Sequence, residues 1–398
     1  MDTSTLISLA IAAIAAIAAI AVIIPAYRGA APARVARNLD KFGERYHFLR
    51  DNQVRLGLRA HQARPSDVHY QDIPLFTKPG WILPAPTPLE SVRITLGPME
   101  RSVSVTPRKL RGLSLAGPLR YSEALQKLNP DSPYFNGTIY SPVRIGVSDG
   151  ALEIGFETGK YFDYIDTSEV LAFAASLRRG ANLRVQREQT DTFALEGRVA
   201  SLGVLTLTVL TGGSQVEMLL HKRSGKFAVG DALYHVVPAG EFAPSDIGLA
   251  AIHEDFDLWR NIMREYAEEF LGMPDAQGKG GRRIDYANSS PFKDLSAARS
   301  DGRLRVYALG VGLDPLTLKP EFLTIAVFDR DCFDEIFPRP FAVTDEGTIL
   351  EGIPFNEKSI DEYLGHSGVR SGAKACLKLA WEHRQEFGLE GQSRSKDG

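Results

Sequence analysis

The feature that most constrains this chain is an uncharged run near its start, LISLAIAAIAAIAAIAVII from Leu6 to Ile24. A helix of these 19 residues, at about 1.5 Å per residue, reaches about 28 Å, close to the ~30 Å hydrocarbon core of a bilayer. Because the run is apolar on every side, it does not have the pattern of an amphipathic helix on a soluble core. The sequence therefore predicts a transmembrane anchor over residues 1–29, in contact with the lipid bilayer through residues 6–24.

The charges that flank this run predict its orientation. Only MDTST precedes it, whereas five cationic residues follow it: Arg28, Arg34, Arg37, Lys41 and Arg45. By the positive-inside rule the following side stays in the cytoplasm, which predicts a single-pass membrane protein with a cytoplasmic C-terminal body. A cleaved signal peptide is the alternative, since APA at 31–33 has small residues at a suitable spacing, but the basic segment that should precede the apolar core is missing.

Charge and cysteine content exclude some classes of function. The net charge of −3 provides no basic surface over the whole molecule, so we expect no nucleic-acid partner. The two cysteines, Cys332 and Cys376, are far apart and have no neighbouring cysteine. This pattern disfavours a disulfide framework and a thiolate zinc site, and it fits a reducing compartment. No pattern in the chain indicates an oligomeric state.

The first half of the chain divides into two predicted regions. Residues 30–65 are rich in arginine and helix formers, which predicts a juxtamembrane helical segment with a break near Gly43 or Gly57. Prolines are frequent from Pro65 to Pro142 and favour short strands with ordered loops, so we predict a β-rich accessory module over residues 66–200. Within it, Asp149 and Gly150 predict a hairpin turn. A short helix follows, with Asp166 or Thr167 as its predicted cap.

The second half, residues 201–388, alternates strands with helices. Three predicted strands precede a central helix, two strands follow it, and the helix SGAKACLKLAWEHRQEFG closes the region. This order predicts an α/β fold of the α+β sandwich kind rather than a doubly wound sheet. We predict a disordered polar tail over residues 389–398.

The central helix, in EDFDLWRNIMREYAEEFLG, carries two distinct faces. Aromatic and apolar residues recur at intervals of three and four, which predicts a face against a core: Phe256, Trp259, Met263, Tyr266 and Phe270. The carboxylates of Glu265, Glu268 and Glu269 share another face, where they can converge. Such a cluster is either a solvated acidic surface or a site for a hard cation such as Mg²⁺, and the helix alone favours the first reading.

The motif REYAEE, Arg264 to Glu269, resembles the core of the box that defines the Nudix hydrolases. Two preceding segments are also similar to that family: EMLLHKRS at Glu217–Ser224 and HVVPAGEFAPS at His235–Ser245. The resemblance covers about 202–329 and implies a Nudix-like domain over 201–388, after the β-rich module and the anchor.

The resemblance implies a function and a set of site residues. Glu265, Glu268 and Glu269 match the metal-binding glutamates, and Arg264 matches the arginine that orients one of them by an ion pair. The implied cofactor is Mg²⁺ or Mn²⁺, and the implied reaction is hydrolysis of a nucleoside diphosphate linked to another group. The expected partner is thus a nucleotide-like small molecule, with the substrate-binding candidates Lys222, Arg223 and Gly240; the two cations could also be a solvated strand end.

The spacing departs from the family pattern. Gly240 and Arg264 are 24 positions apart, ten more than in the family box. Starting the box at Gly248 reaches Glu254 after five residues, but nine then separate Glu254 from Arg264, two more than in the pattern. The closing glycine, Gly272, also comes one position late.

These departures leave three functional classes open. The complete glutamate trio favours an enzyme, and the long insertion favours a catalytically inactive module that senses a nucleotide-like ligand at the membrane. A scaffold that uses the fold only as a protein-binding surface is the third class. The basic loop GKGGRR at Gly278–Arg283 could bind a diphosphate if it folds over the carboxylates of the central helix, although a flexible loop is the simpler interpretation.

Overall fold

The computed structural model describes residues 39–97, 120–130, 135–176, 191–223, 233–246, 248–274, 283–341 and 347–389. Within these ranges no helix has both the length and the apolar character needed to cross a membrane. The predicted anchor at residues 6–24 lies outside the described residues. So do residues 390–398 of the predicted tail, whereas Leu389, its first residue, is buried in a core.

A mixed sheet of ten strands forms the centre of the molecule, with the order β1-β2-β11-β12-β7-β8-β13. Three further strands join this path, β3 on β11, β9 on β8 and β10 on β7. The ten strands are β1 (His69–Tyr70), β2 (Ile73–Phe76), β3 (Ile82–Pro88), β7 (Gly203–Thr211), β8 (Glu217–Arg223), β9 (Leu233–Val236), β10 (Ala239–Glu241), β11 (Leu304–Leu313), β12 (Pro320–Asp329) and β13 (Thr348–Pro354).

The parallel pair β7 and β12 lies at the middle of this sheet. Both strands are nearly continuous in apolar and threonine residues, GVLTLTVLT and PEFLTIAVFD, and are buried along almost their whole length. Strands covered on both faces have this composition because neither row of side chains meets water. Strand β11 pairs antiparallel with β12, so the sheet is mixed.

Helices cover both faces of the sheet. One core lies beneath the helix that carries the three glutamates (Leu258–Leu271), and a second lies beneath the last helix (Ser371–Glu382). The predicted α/β class, in its α+β form, is therefore confirmed. The helices are α1 (residues 39–51), α2 (Gln53–Gln62), α3 (Tyr121–Leu128), α4 (Tyr161–Tyr164), α5 (Val170–Ser176), α6 (Leu249–Glu254), α7 (Leu258–Leu271, the acidic helix), α8 (Phe292–Ser300), α9 (Arg330–Ile336), α10 (Glu357–Gly365) and α11 (Ser371–Glu382).

Residues 66–200 contribute to two sheets. Strands β2 and β3 pair with β11, and β1 pairs with β2, so all three belong to the ten-stranded sheet. A separate three-stranded sheet consists of β4 (Arg93–Leu96), β6 (Ala151–Lys160) and β5 (Thr138–Ser148). The predicted hairpin between β5 and β6 is confirmed, with Asp149 at φ 51° and Gly150 at φ 76°. Positive φ at both central residues is what a two-residue hairpin turn requires.

Two predicted details of the helices are wrong. The helix placed at Asp166 begins earlier, at Tyr161, and Asp166 lies within a wide π-helical turn over Ile165–Glu169. Its carboxylate accepts hydrogen bonds from the N–H and hydroxyl of Ser122, so this side chain joins two elements instead of capping one. The break between α1 and α2 falls at Asn52, whose side chain donates to the Phe48 carbonyl, and not at Gly43 or Gly57.

Candidate active site on the acidic helix

The acidic helix α7 has clear signals at both ends. The Asp257 carboxylate accepts the N–H of Arg260 at 3.0 Å and caps the start. Gly272 ends the helix in the left-handed region, at φ 62°, where glycine is favoured. Met263, Tyr266 and Phe270 of the predicted apolar face are buried, and Phe256 precedes the helix instead of belonging to it.

Glu265 lies directly against strand β10. A Cβ atom at position 240 would overlap the Glu265 carboxylate in its present position, so this carboxylate lies directly over the backbone of Gly240. Asn261, one turn earlier on the helix, donates to Glu265 Oε1 at 3.5 Å. The structure therefore places Gly240, a predicted substrate-binding residue, against Glu265; its contact with a substrate stays a prediction.

Glu269 reaches the same short strand. Its Oε1 accepts the N–H of Ala239 at 2.9 Å. The Nδ1 of buried His221, on β8, lies 3.8 Å from its Oε2. Glu268 is half-buried on the same helix, three residues after Glu265. Two glutamates of the predicted trio thus converge on the adjacent residues Ala239 and Gly240.

Arg264 is buried and forms several contacts. It pairs with Asp255 at 3.4 Å, donates to the Ala243 carbonyl at 2.6 Å and to Tyr286 at 2.8 Å. Burial alone would lower the pKa of Arg264, but nearby Tyr286 and Asp255, with a smaller contribution from Glu265, raise it above its ordinary value. The resemblance implied an ion pair with a glutamate; the structure adds Asp255 as an ion-pair partner of the arginine.

Asp255 connects three parts of the chain. Besides Arg264, it accepts the N–H of Ser245 at 2.7 Å and the hydroxyl of Tyr286 at 2.7 Å. Burial raises the pKa of Tyr286 to about 12, so this phenol stays a donor at neutral pH. Sequence reasoning did not single out either residue for the site. Their role follows from the burial of Arg264, whose charge needs a carboxylate partner in the folded chain.

The structure describes the predicted cations only in part. Lys222 is half-buried on β8, opposite Tyr234 and Thr348. Arg223 pairs through its backbone with Leu233, and its side chain lies outside the described part of the chain. In the GKGGRR loop only Arg283 is described. It forms an ion pair with Glu254, so it is engaged by a carboxylate and is not poised for a diphosphate.

A cleft of about 610 Å³ lies past the C-terminal end of the acidic helix. Its lining includes Leu271, Met273, Arg303, Cys332 and Glu335. None of the predicted site residues lines this cleft, so it is separate from the glutamates.

The glutamates do not form a complete metal cage. Among the described residues, no group of three or more His, Cys, Asp or Glu side chains is placed to hold a metal ion. Mg²⁺ is commonly bound by one or two carboxylates, with water and substrate oxygens completing the shell. The half-buried carboxylates of Glu265 and Glu269 beside β10 fit that mode of binding and not an all-protein cage.

Comparison with known proteins gives little further information. No protein-family model and no curated protein matches the chain. Among solved structures, it is similar to the crystal structure of a NUDIX hydrolase from Alicyclobacillus acidocaldarius, with 16% identity and a TM-score of 0.27. The match covers 45% of this chain and 90% of that chain. A TM-score this low does not establish a shared family.

Proposed function

We propose that this protein is a Nudix-like hydrolase that cleaves nucleoside diphosphate-linked substrates with Mg²⁺ or Mn²⁺ at the acidic helix. The observation that carries the proposal is the placement of Glu265 and Glu269 against the same short strand. Glu265 occupies the space left by Gly240, and Glu269 accepts the N–H of Ala239. A solvated acidic face would not place one carboxylate against the strand backbone or give another a backbone donor.

A divalent cation suits the chemistry of these side chains. Glu265, Glu268 and Glu269 offer carboxylate oxygens, the ligands that Mg²⁺ and Mn²⁺ prefer. When bound, the ion would neutralise phosphate charge and lower the pKa of a bound water. Lys222 and Arg223 remain candidates for contacting the substrate phosphates, since they end strand β8 just after His221.

The residues around the glutamates hold the helix in place. Arg264 and Asp255 join the acidic helix to the segment around Ser245 and to Tyr286. Tyr266 adds a second link, because its hydroxyl lies 2.7 Å from Thr208 Oγ1 on β7. Rigid placement of this kind is what a hydrolytic site needs to orient a bound phosphate.

A turnover assay tests the proposal. The full chain is incubated with Mg²⁺ or Mn²⁺ and a panel of nucleoside diphosphate derivatives, beside the double variant Glu268→Gln, Glu269→Gln. We expect metal-dependent release of nucleotide by the wild type and a loss of at least about 100-fold in the double variant. Glu357→Gln, at an exposed position on α10, is the matched control and should keep full activity.

A second candidate is a nucleotide sensor without turnover. It is favoured by the long insertion between Gly240 and Arg264 and by the incomplete cage among the described carboxylates. Thermal shift on the same samples separates the two functions. Stabilisation by a nucleotide without cleavage would support the sensor. No response in either assay would favour the third class, a scaffold that uses the fold as a protein-binding surface.

Attachment to a membrane remains a prediction from the sequence. We propose that residues 6–24 tether the catalytic body to the cytoplasmic side of the bilayer. The length of the apolar run and the cationic residues after it support this placement.

A further inference from the structure

A group of charged side chains lies on the other side of strand β10 from the proposed active site. Glu241 of β10 and Glu321 of β12 both pair with Gly203 of β7, so three neighbouring strands place them in one row. Because Gly203 has no side chain, Lys319 fits over it; a Cβ there would lie 3.1 Å from Lys319 Nζ.

Lys319 forms the central ion pair of this group. Its Nζ donates to Glu241 Oε1 at 2.6 Å, and the hydroxyl of Ser201 donates to Glu241 Oε2. The lysine side chain is 18% exposed, whereas that of Glu241 is 40% exposed. Burial raises the pKa of Glu241, but Lys319 and Ser201 outweigh it and keep the pKa below its ordinary value.

Within the described part of the chain, Glu321 is the member of this charged group that is most deeply buried without a hydrogen-bond partner for one of its oxygens. It is 8% exposed, and its Oε2 is buried with no hydrogen-bond partner among the described residues. Gly372, near the start of α11, lies against this oxygen, because a Cβ at 372 would overlap it. An ionised carboxylate in such a place is costly unless a cation compensates it.

The neighbouring charges do not supply a cation for Glu321 alone. Lys319 is already paired with Glu241, and Arg370, which precedes α11, also donates to Gln53 at 2.8 Å. Asp314 faces Glu321 from the β11–β12 turn, and the buried thiol of Cys376 faces it from α11. Burial, followed by the charge of Asp314, raises the pKa of Glu321 to about 7.

One further carboxylate faces the lysine. Glu169, in the π-helical turn, accepts the hydroxyl of Tyr164 at 2.8 Å. It interacts electrostatically with Lys319 and Glu241, and burial raises its pKa above the ordinary value. Lys319 therefore lies near more carboxylates than its single positive charge can balance. A proton on Glu321 removes one of the negative charges.

We propose that Lys319, Glu241 and Glu321 form a proton-responsive clamp that holds strand β10, and with it Ala239 and Gly240, against the acidic helix. With Glu321 neutral, Lys319 has Glu241 as its main charged partner and the strand is fixed. When Glu321 ionises, it competes for the lysine and the hold on Glu241 weakens. The clamp does not require catalytic activity, so it stands or fails separately from the proposed function.

The direction of the pH effect follows from the raised pKa of Glu321. A carboxyl group whose pKa is higher in the folded state contributes stability that is present at low pH and lost as the pH rises through the folded value. The clamp is therefore closed below pH 7 and loosens above it.

Hydrogen–deuterium exchange of the peptide covering residues 236–243 tests the clamp in the full chain. Wild type and Glu321→Gln are compared at about pH 6 and again at about pH 8.5, so that intrinsic exchange rates cancel at each pH. We expect about tenfold slower exchange in the variant at the higher pH and rates within about twofold at the lower pH. Equal rates at both values would overturn the proposal.

Two lysine variants give an independent test. Lys319→Met should speed exchange of the same peptide at both pH values, and Lys319→Arg should restore the wild-type rate. Glu357→Gln, on the surface of α10, is the matched control and should leave exchange unchanged. If Glu321→Gln does not fold, the protection of the wild-type peptide decides: a fall from about pH 6 to about pH 8.5 supports the clamp, and constant protection overturns it.

Discussion

Gly240 is the residue on which the geometry of the candidate site depends most closely. Its backbone pairs with Val204 of β7, and its missing side chain provides the space for the Glu265 carboxylate. The resemblance implied a role for Gly240 as a substrate contact. The clearance could not be predicted, because it depends on which helix residue faces the strand after folding.

Substituting Gly240 by alanine tests this clearance. The added methyl group must displace the Glu265 carboxylate, whose side chain can move, so we expect destabilisation by about 1 kcal/mol and a loss of the proposed activity. Denaturant unfolding measures the first effect, and turnover measures the second. Gly146→Ala is the control, since Gly146 is also in a strand and a Cβ there would meet no atom within 4 Å. Equal stability of the two variants would contradict the close approach.

At the scale of elements, the acidic helix was predicted well and its partners were not. The period of three and four in the apolar residues is local information, and the helix follows it from Leu258 to Leu271. The contacts of Arg264 with Asp255 and Tyr286 join segments that meet only in the folded chain. Burial of an arginine is a property of the packed structure and leaves no local pattern.

Replacing Arg264 tests how strongly this network fixes the helix. Arg264→Met leaves Asp255, whose side chain is 3% exposed, as a buried carboxylate without its cation. We expect a loss of about 3–5 kcal/mol in unfolding free energy, because removing one member of a buried ion pair leaves the charge of the other member buried and uncompensated. The control is Arg299→Met, since the pair of Arg299 with Glu90 is more exposed and should contribute about 1 kcal/mol or less. A similar loss in both variants would contradict the role given to Arg264.

At the scale of the whole molecule, the strands of the first half were predicted as an accessory module, and three of them extend the central sheet. Alternating residues and turns such as Asp149–Gly150 indicate where strands occur. They do not indicate which strands pair, because β2 and β3 meet β11 across more than 200 residues of chain. The parallel pairing of β7 with β12 is equally non-local, and it places Glu241 and Glu321 in one row.

Binding of Mn²⁺ by the full chain, followed by electron paramagnetic resonance, tests the central claim most directly. The wild type is titrated beside the double variant Glu265→Gln, Glu269→Gln, with Glu357→Gln as the control. The account predicts a site in the wild type and in the control, and at least about tenfold weaker binding in the double variant. Equal Mn²⁺ affinity in all three proteins, or no binding by the wild type, would show that the acidic helix is not a metal site.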